Sequence, residues 1–123
     1  MNLSSNINFL LGLQTQMKIN HWQTKKHARH EAFGEYYSSM DKHIDMFVEV
    51  AIGKYGRFKL SDDEKQIPLF NIYELNHKSL LKVVVDTFLL IKENLNESDS
   101  DLLNIIDEMI AETNKLSYLL TQN

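Results

Sequence analysis

The stretch from His27 to Tyr55 limits the possible folds more than any other part of the chain. Phe33, Tyr37, Met40, Ile44, Phe47 and Ala51 recur at intervals of three and four, widened by Tyr36, Val48 and Ile52, and no proline interrupts them. That period belongs to an amphipathic helix, here about 40 Å long at the standard rise. Gly53 and Gly56 supply its stop signal. A rod of that length needs its apolar stripe covered from end to end, and a chain of 123 residues forms one domain around a single core.

Three further helices are predicted. From Leu3 to about Trp22, the residues Leu3, Ile7, Leu10, Met17 and His21 trace one face, with Leu11 beside them and Gln14 in the remaining slot. Thr24 is the expected N-cap of the next helix. The third helix runs from Tyr73 or His77 to Leu95 and is apolar almost all round, which predicts burial on more than one side. Its β-branched run Val83 to Val85 suits a strand, but some twenty residues without a breaker fit a helix better. Ser98 is placed to cap a fourth helix, from about Asp99 to Leu120, with a stripe led by Leu102, Ile106, Met109 and Leu116. Its carboxylates Asp107, Glu108 and Glu112 fall mainly off that stripe and read as a solvated face.

Residues 54–72 are the least regular. Ser61-Asp62-Asp63-Glu64 reads as a capping box for a short turn before Pro68. A connection of this length crosses from one end of a bundle to the other. The expected fold is therefore all-α: a single domain, 1–123, forming a ferritin-like four-helix bundle with a long crossover between helices 2 and 3.

Composition removes several functional classes. Without cysteine there is no disulfide framework, thiolate metal site or cysteine nucleophile. The N-terminal stretch has no basic segment or small-residue cleavage site, and the longest apolar run is too short for a membrane span. A cytoplasmic protein without membrane partners is the expectation. The formal net charge of -4 argues against coating nucleic acid. Lys18, Lys25, Lys26, His27 and Arg29 form the one basic cluster, read as solvated flanks of a helix end, with a phosphate site as the alternative.

What remains is a vocabulary of metal ligands. Four of the five histidines, His21, His27, His30 and His43, lie in one stretch that ends in Asp41, Asp45 and Glu49 at four-residue spacing. Imidazole with carboxylate suits iron, manganese or zinc. Asp45 and Glu49 share a helix face, but His30 lies about 22 Å up the same helix from Asp45. These groups meet only if the carboxylates come from a second molecule, as a two-fold axis packing two such helices antiparallel provides. His21 joins His30 only if the chain reverses between Gln23 and Lys26.

His21-Trp22, then His30-Glu31, then Asp45 followed by Glu49 resembles the signature of Dps-type miniferritins, within the ferritin-like superfamily. The resemblance implies an iron-oxidising site shared between subunits, with His21 and His30 from one and Asp45 and Glu49 from its partner. It further implies a homo-oligomer of two-fold dimers, usually a hollow dodecamer, that stores or detoxifies iron. Gly34 stands where the family often has another acidic ligand, for which Asp41 or Glu31 would substitute. The His21 to His30 spacing is three residues shorter than is usual there. Met1 to Gln16 holds no lysine or arginine, so DNA binding through an N-terminal tail is not expected. The phrase HWQTKKHARHEAFGE is also similar to short ferritin-like proteins of phages. The alternative is a helical oligomerisation or binding module without ferroxidase activity, for which Phe33, Tyr36, Tyr37, Met40, Phe47 and Tyr55 supply interface aromatics.

Overall fold

The computed structural model describes residues 1–122; Asn123 lies outside the described residues. Four α-helices make up most of it: α1 (Leu3–Gln23), α2 (His27–Tyr55), α3 (His77–Glu93) and α4 (Ser100–Leu119). Single 3-10 turns occur at Asp63–Lys65, Ile72–Glu74 and Glu97–Asp99.

Cross-helix bonds give the topology. Gln14 donates to the Tyr37 carbonyl, and His21 pairs with His30, so the partner's number falls as α1 rises and the two helices are antiparallel. Tyr36 meets Thr113, His43 faces Glu108 and Lys54 reaches Asp101, which makes α2 and α4 antiparallel as well. Lys92 pairs with Asp107 and places α3 antiparallel to α4. His77 packs against Phe33, at the end of the bundle where α2 begins. Helices α2 and α3 therefore run parallel, and residues 56–76 travel the whole length of the bundle between them, as predicted.

The core follows from the four stripes. Phe33, Met40 and Phe47 of α2, Phe88 of α3, and Leu102 and Ile106 of α4 are at most 1% exposed. One polar chain is sealed among them. The Thr113 hydroxyl donates to the Met109 carbonyl and so receives the hydroxyl hydrogen of Tyr36. Burial pushes the Tyr36 phenol well above its ordinary range and keeps it a neutral donor.

Several local expectations need correction. Leu11 is exposed and Leu13 is buried in its place, because Leu13 lies one turn below Met17 on the packed side. Thr24 closes α1, its N–H bonded to the Asn20 carbonyl, and Lys26 stands at the N-cap of α2 without a side-chain bond. Gly53 continues the helix, and only Gly56, at φ +91°, ends it. Ser98 caps nothing; Asn96 and Asp99 form the capping box, around the 3-10 turn before α4. Helix α3 is buried along one stripe only, through Leu81, Val84, Phe88 and Ile91, while Val83 and Leu90 face outward at 60% and 57% exposure. Among the described residues no helix is long and apolar enough to cross a membrane.

The crossover is bonded along α1 rather than left loose. Asn8 donates to the carbonyls of Glu64 and Gln66. The buried Gln16 donates to the Phe70 carbonyl and accepts from its N–H, and Gln23 accepts from the N–H of Ile72. Three amide side chains at three heights thus satisfy a backbone that has no regular partner of its own. A Cβ on Gly12 would lie 3.3 Å from Ile67, which marks how closely the connection approaches. Glu64 accepts from the Ser61 N–H, the bond expected of a capping box there.

At the other end of α2, Asp99 is 1% exposed and accepts from three donors. Lys54 Nζ lies 2.7 Å from its carboxylate, the Tyr55 hydroxyl donates to it, and so does the N–H of Asn96. These donors hold the Asp99 carboxyl at about 2, below its ordinary 3.8, with the Lys54 hydrogen bond the largest cause. A carboxyl depressed in the fold stabilises it fully above the unfolded value, and that contribution disappears as pH falls toward the folded one. Thermal stability is therefore expected to fall as pH drops from about 5 to about 2, and Asp99→Asn should flatten this acid limb while lowering Tm at pH 7. Melting curves at stepped pH on both proteins check it.

Candidate metal centre

The chain reverses through residues 24–26, which meets the requirement set by His21 and His30. His21 lies in the last turn of α1 and His30 in the first turn of α2, and their rings stack with centroids 3.8 Å apart and planes 17° from parallel. The bonding is reciprocal. His21 Nδ1 is 2.6 Å from the His30 carbonyl oxygen, and His30 Nδ1 is 2.8 Å from the His21 carbonyl oxygen.

A carbonyl oxygen only accepts, so each Nδ1 carries the hydrogen. In the neutral ring Nε2 is then left with the lone pair. This is how metal-ligating histidines are commonly prepared, a backbone carbonyl fixing tautomer and ring orientation. Stacking also limits what the pair can hold. An ion at about 2.1 Å from both nitrogens would have to lie between the ring planes, away from lone pairs that point within them. The two imidazoles therefore suit two separate ions rather than one chelated ion.

Sequence reading missed the seat of this pair. A Cβ on Gly34 would fall 2.8 Å from His21 Cε1 and 3.0 Å from its Nδ1. The His21 ring occupies the volume in which a side chain at position 34 would begin, so an acidic ligand there is incompatible with the stack. Tyr37, one turn further along α2, packs edge-on against His21 at 5.5 Å, and Lys18 lies over the Tyr37 ring. The available signal was spacing, since Gly34 and Tyr37 follow His30 by four and seven residues and share its face.

The predicted carboxylates lie elsewhere on α2. Asp41 is three turns from His30 on nearly the same line, and Asp45 and Glu49 step round from it by about 40° each. All three are exposed, and among the described residues none is hydrogen-bonded or ion-paired through its side chain. Other acidic residues of α2 are engaged, Glu31 beside His27 and Glu35 with Lys115. His43 faces Glu108 at 3.2 Å across the α2–α4 seam, and the Glu108 side chain stays 64% exposed. Among the described residues no three histidine, aspartate or glutamate side chains gather closely enough to hold a metal ion. Trp22, beside the stack, is 70% exposed.

Residues 21–120 match the model of a family described as a family of unknown function, DUF5856. The chain belongs to that family. The DUF5856 match opens at His21 and takes in the histidine stack, the outer carboxylates, the crossover and the last two helices. No curated protein and no solved structure matches the chain.

Proposed function

We propose that the protein binds and oxidises ferrous iron in the manner of a Dps-type miniferritin, at sites completed by a second copy of the chain. One observation carries this reading: each imidazole of the His21–His30 stack is locked by a backbone carbonyl with Nε2 left to accept a cation. Asp45 and Glu49 supply the anionic ligands. They are exposed, unpaired among the described residues, and too far along α2 to serve the histidines of their own chain.

Two α2 helices packed antiparallel about a two-fold axis bring the His30 end of one beside the Glu49 end of the other, and the crossing falls near Ser38 and Ser39. Iron is the substrate here. The protein holds the donors in place and limits water, while the metal supplies the redox chemistry. Each imidazole serves one ion, and Glu49 is the better placed carboxylate to bridge a pair.

A second reading has its own support. The same imidazole–carbonyl bonds close the α1–α2 turn whether or not a metal binds, and Trp22, Met46, Val83 and Leu90 leave apolar surface for association. A helical assembly module accounts for those features without chemistry. Anaerobic ferrous titration combined with sedimentation separates the two. The iron reading expects saturable binding, close to two ions per histidine stack, by a dimer or larger assembly that consumes oxygen or peroxide. An oligomer that takes up no iron supports the module, and a monomer overturns the iron reading.

A further inference from the structure

A second group of polar side chains lies at the same end of the bundle as the histidine stack, where α2 begins, α3 begins and α4 ends. A cleft of about 520 Å³ there is lined by Arg29, His77 and Lys78, by the polar groups of Asn76, Ser117 and Thr121, and by Leu75, Leu81 and Leu120. Among the described residues no carboxylate lines it. Arg29 forms no ion pair among the described residues, and its Nε is buried without a hydrogen-bond partner. The same holds for Nδ1 of His77.

Buried polar atoms without partners are uncommon because each forfeits its solvation. Here the two residues that carry them, on different helices, line one cleft together with a second full cation, Lys78. We propose that this cleft binds the phosphate group of a phosphorylated small molecule, with Arg29, His77 and Lys78 as its donors.

The chemistry favours phosphate over a simple carboxylate. A guanidinium fork and an ammonium together match a multiply charged anion with several acceptor oxygens, and charge-assisted bonds of this kind are the strong ones. The volume exceeds what a bare oxyanion fills, and Leu75, Leu81 and Leu120 offer apolar surface to the remainder of an ester. Burial, and secondly Arg29, hold the His77 imidazole below its usual range, so the ring enters as a neutral donor that an anion bridging to Arg29 would relieve. The site does not rest on the iron reading, since it shares no ligand with the histidine stack.

The test is a titration of the full chain with inorganic phosphate, and then phenyl phosphate, followed by NMR signals of the His77 ring and the Arg29 Nε–H at constant ionic strength. Saturable shifts are expected at both residues, with phenyl phosphate binding more tightly. Arg29→Met and Lys78→Gln should each weaken binding on the order of tenfold, and Lys59→Gln, remote from the cleft, should not. Arg29→Lys, which keeps charge without the fork, covers the case in which Arg29→Met fails to fold. Chloride-like, unsaturable shifts, or phosphate affinity unchanged in both arginine variants, overturn the proposal. Equal affinity for acetate overturns the assignment to phosphate.

Discussion

Exchange of Glu49 for alanine is expected to weaken ferrous binding by about a hundredfold or more, since losing even a supporting contact of a metal ligand typically costs ten- to a hundredfold. Helix content and Tm should barely change, because Glu49 is exposed and contributes no side-chain bond among the described residues. The more demanding form uses two defective proteins. A chain carrying His21→Ala and His30→Ala lacks the imidazoles, and one carrying Asp45→Ala and Glu49→Ala lacks the carboxylates. Each alone should take up no iron. Mixed and co-assembled, they should recover binding at a fraction of the sites, because a mixed dimer pairs intact histidines with intact carboxylates. If co-assembly is verified and no binding returns, the site does not lie between chains. Only an intermolecular site predicts recovery, and a metal centre within one chain forbids it.

The second large effect is expected at Gly34. Gly34→Ala places a methyl 2.8 Å from the His21 ring. That ring is bonded to the His30 carbonyl, stacked on His30 and packed by Tyr37, so it moves only by giving up those contacts. Overpacking of this kind costs about 1–3 kcal/mol, and loss of the tautomer lock should reduce iron affinity as well. Gly34→Asp, which supplies the carboxylate that the resemblance led one to seek, should fare worse rather than better. Thermal melts and ferrous titration on both variants decide it. Improved iron uptake by Gly34→Asp would mean that the stack is not the working arrangement.

The architecture was legible because its signals were long. The period of three and four through α2 runs for 29 residues, and with a single proline in the chain few other structures were open to it. The distance argument was legible too, since helical rise alone separates His30 from Asp45. Short-range details were not. Thr24 and Ser98 have the right chemistry for caps, but the segments beside them turn one or two residues away, and Lys26 and Asp99 take those positions instead. The nearly all-round apolar character of α3 suggested burial on more than one side, whereas one chain covers a single stripe and leaves Val83 and Leu90 exposed. The histidine stack was only half readable. Sequence showed that a turn had to bring the rings together, but the bonding of each ring to the other's backbone depends on three-dimensional approach. Gly34 looked like a missing ligand and is the space into which a ring fits. The basic stretch that holds Arg29 raised phosphate as an alternative, but the cleft itself was not readable, because His77 and Lys78 lie far from Arg29 in sequence.

The amide contacts that tie the crossover to α1 divide that connection into two parts with different tolerances. From Glu64 to Ile72 its backbone is held at fixed heights, so an added residue there would pull bonded groups out of register with Asn8, Gln16 and Gln23. Arg57 to Leu60 carries no such bond among the described residues, and chain length can vary in that part without disturbing the helices. A tag, a fluorophore or a graft belongs in that slack.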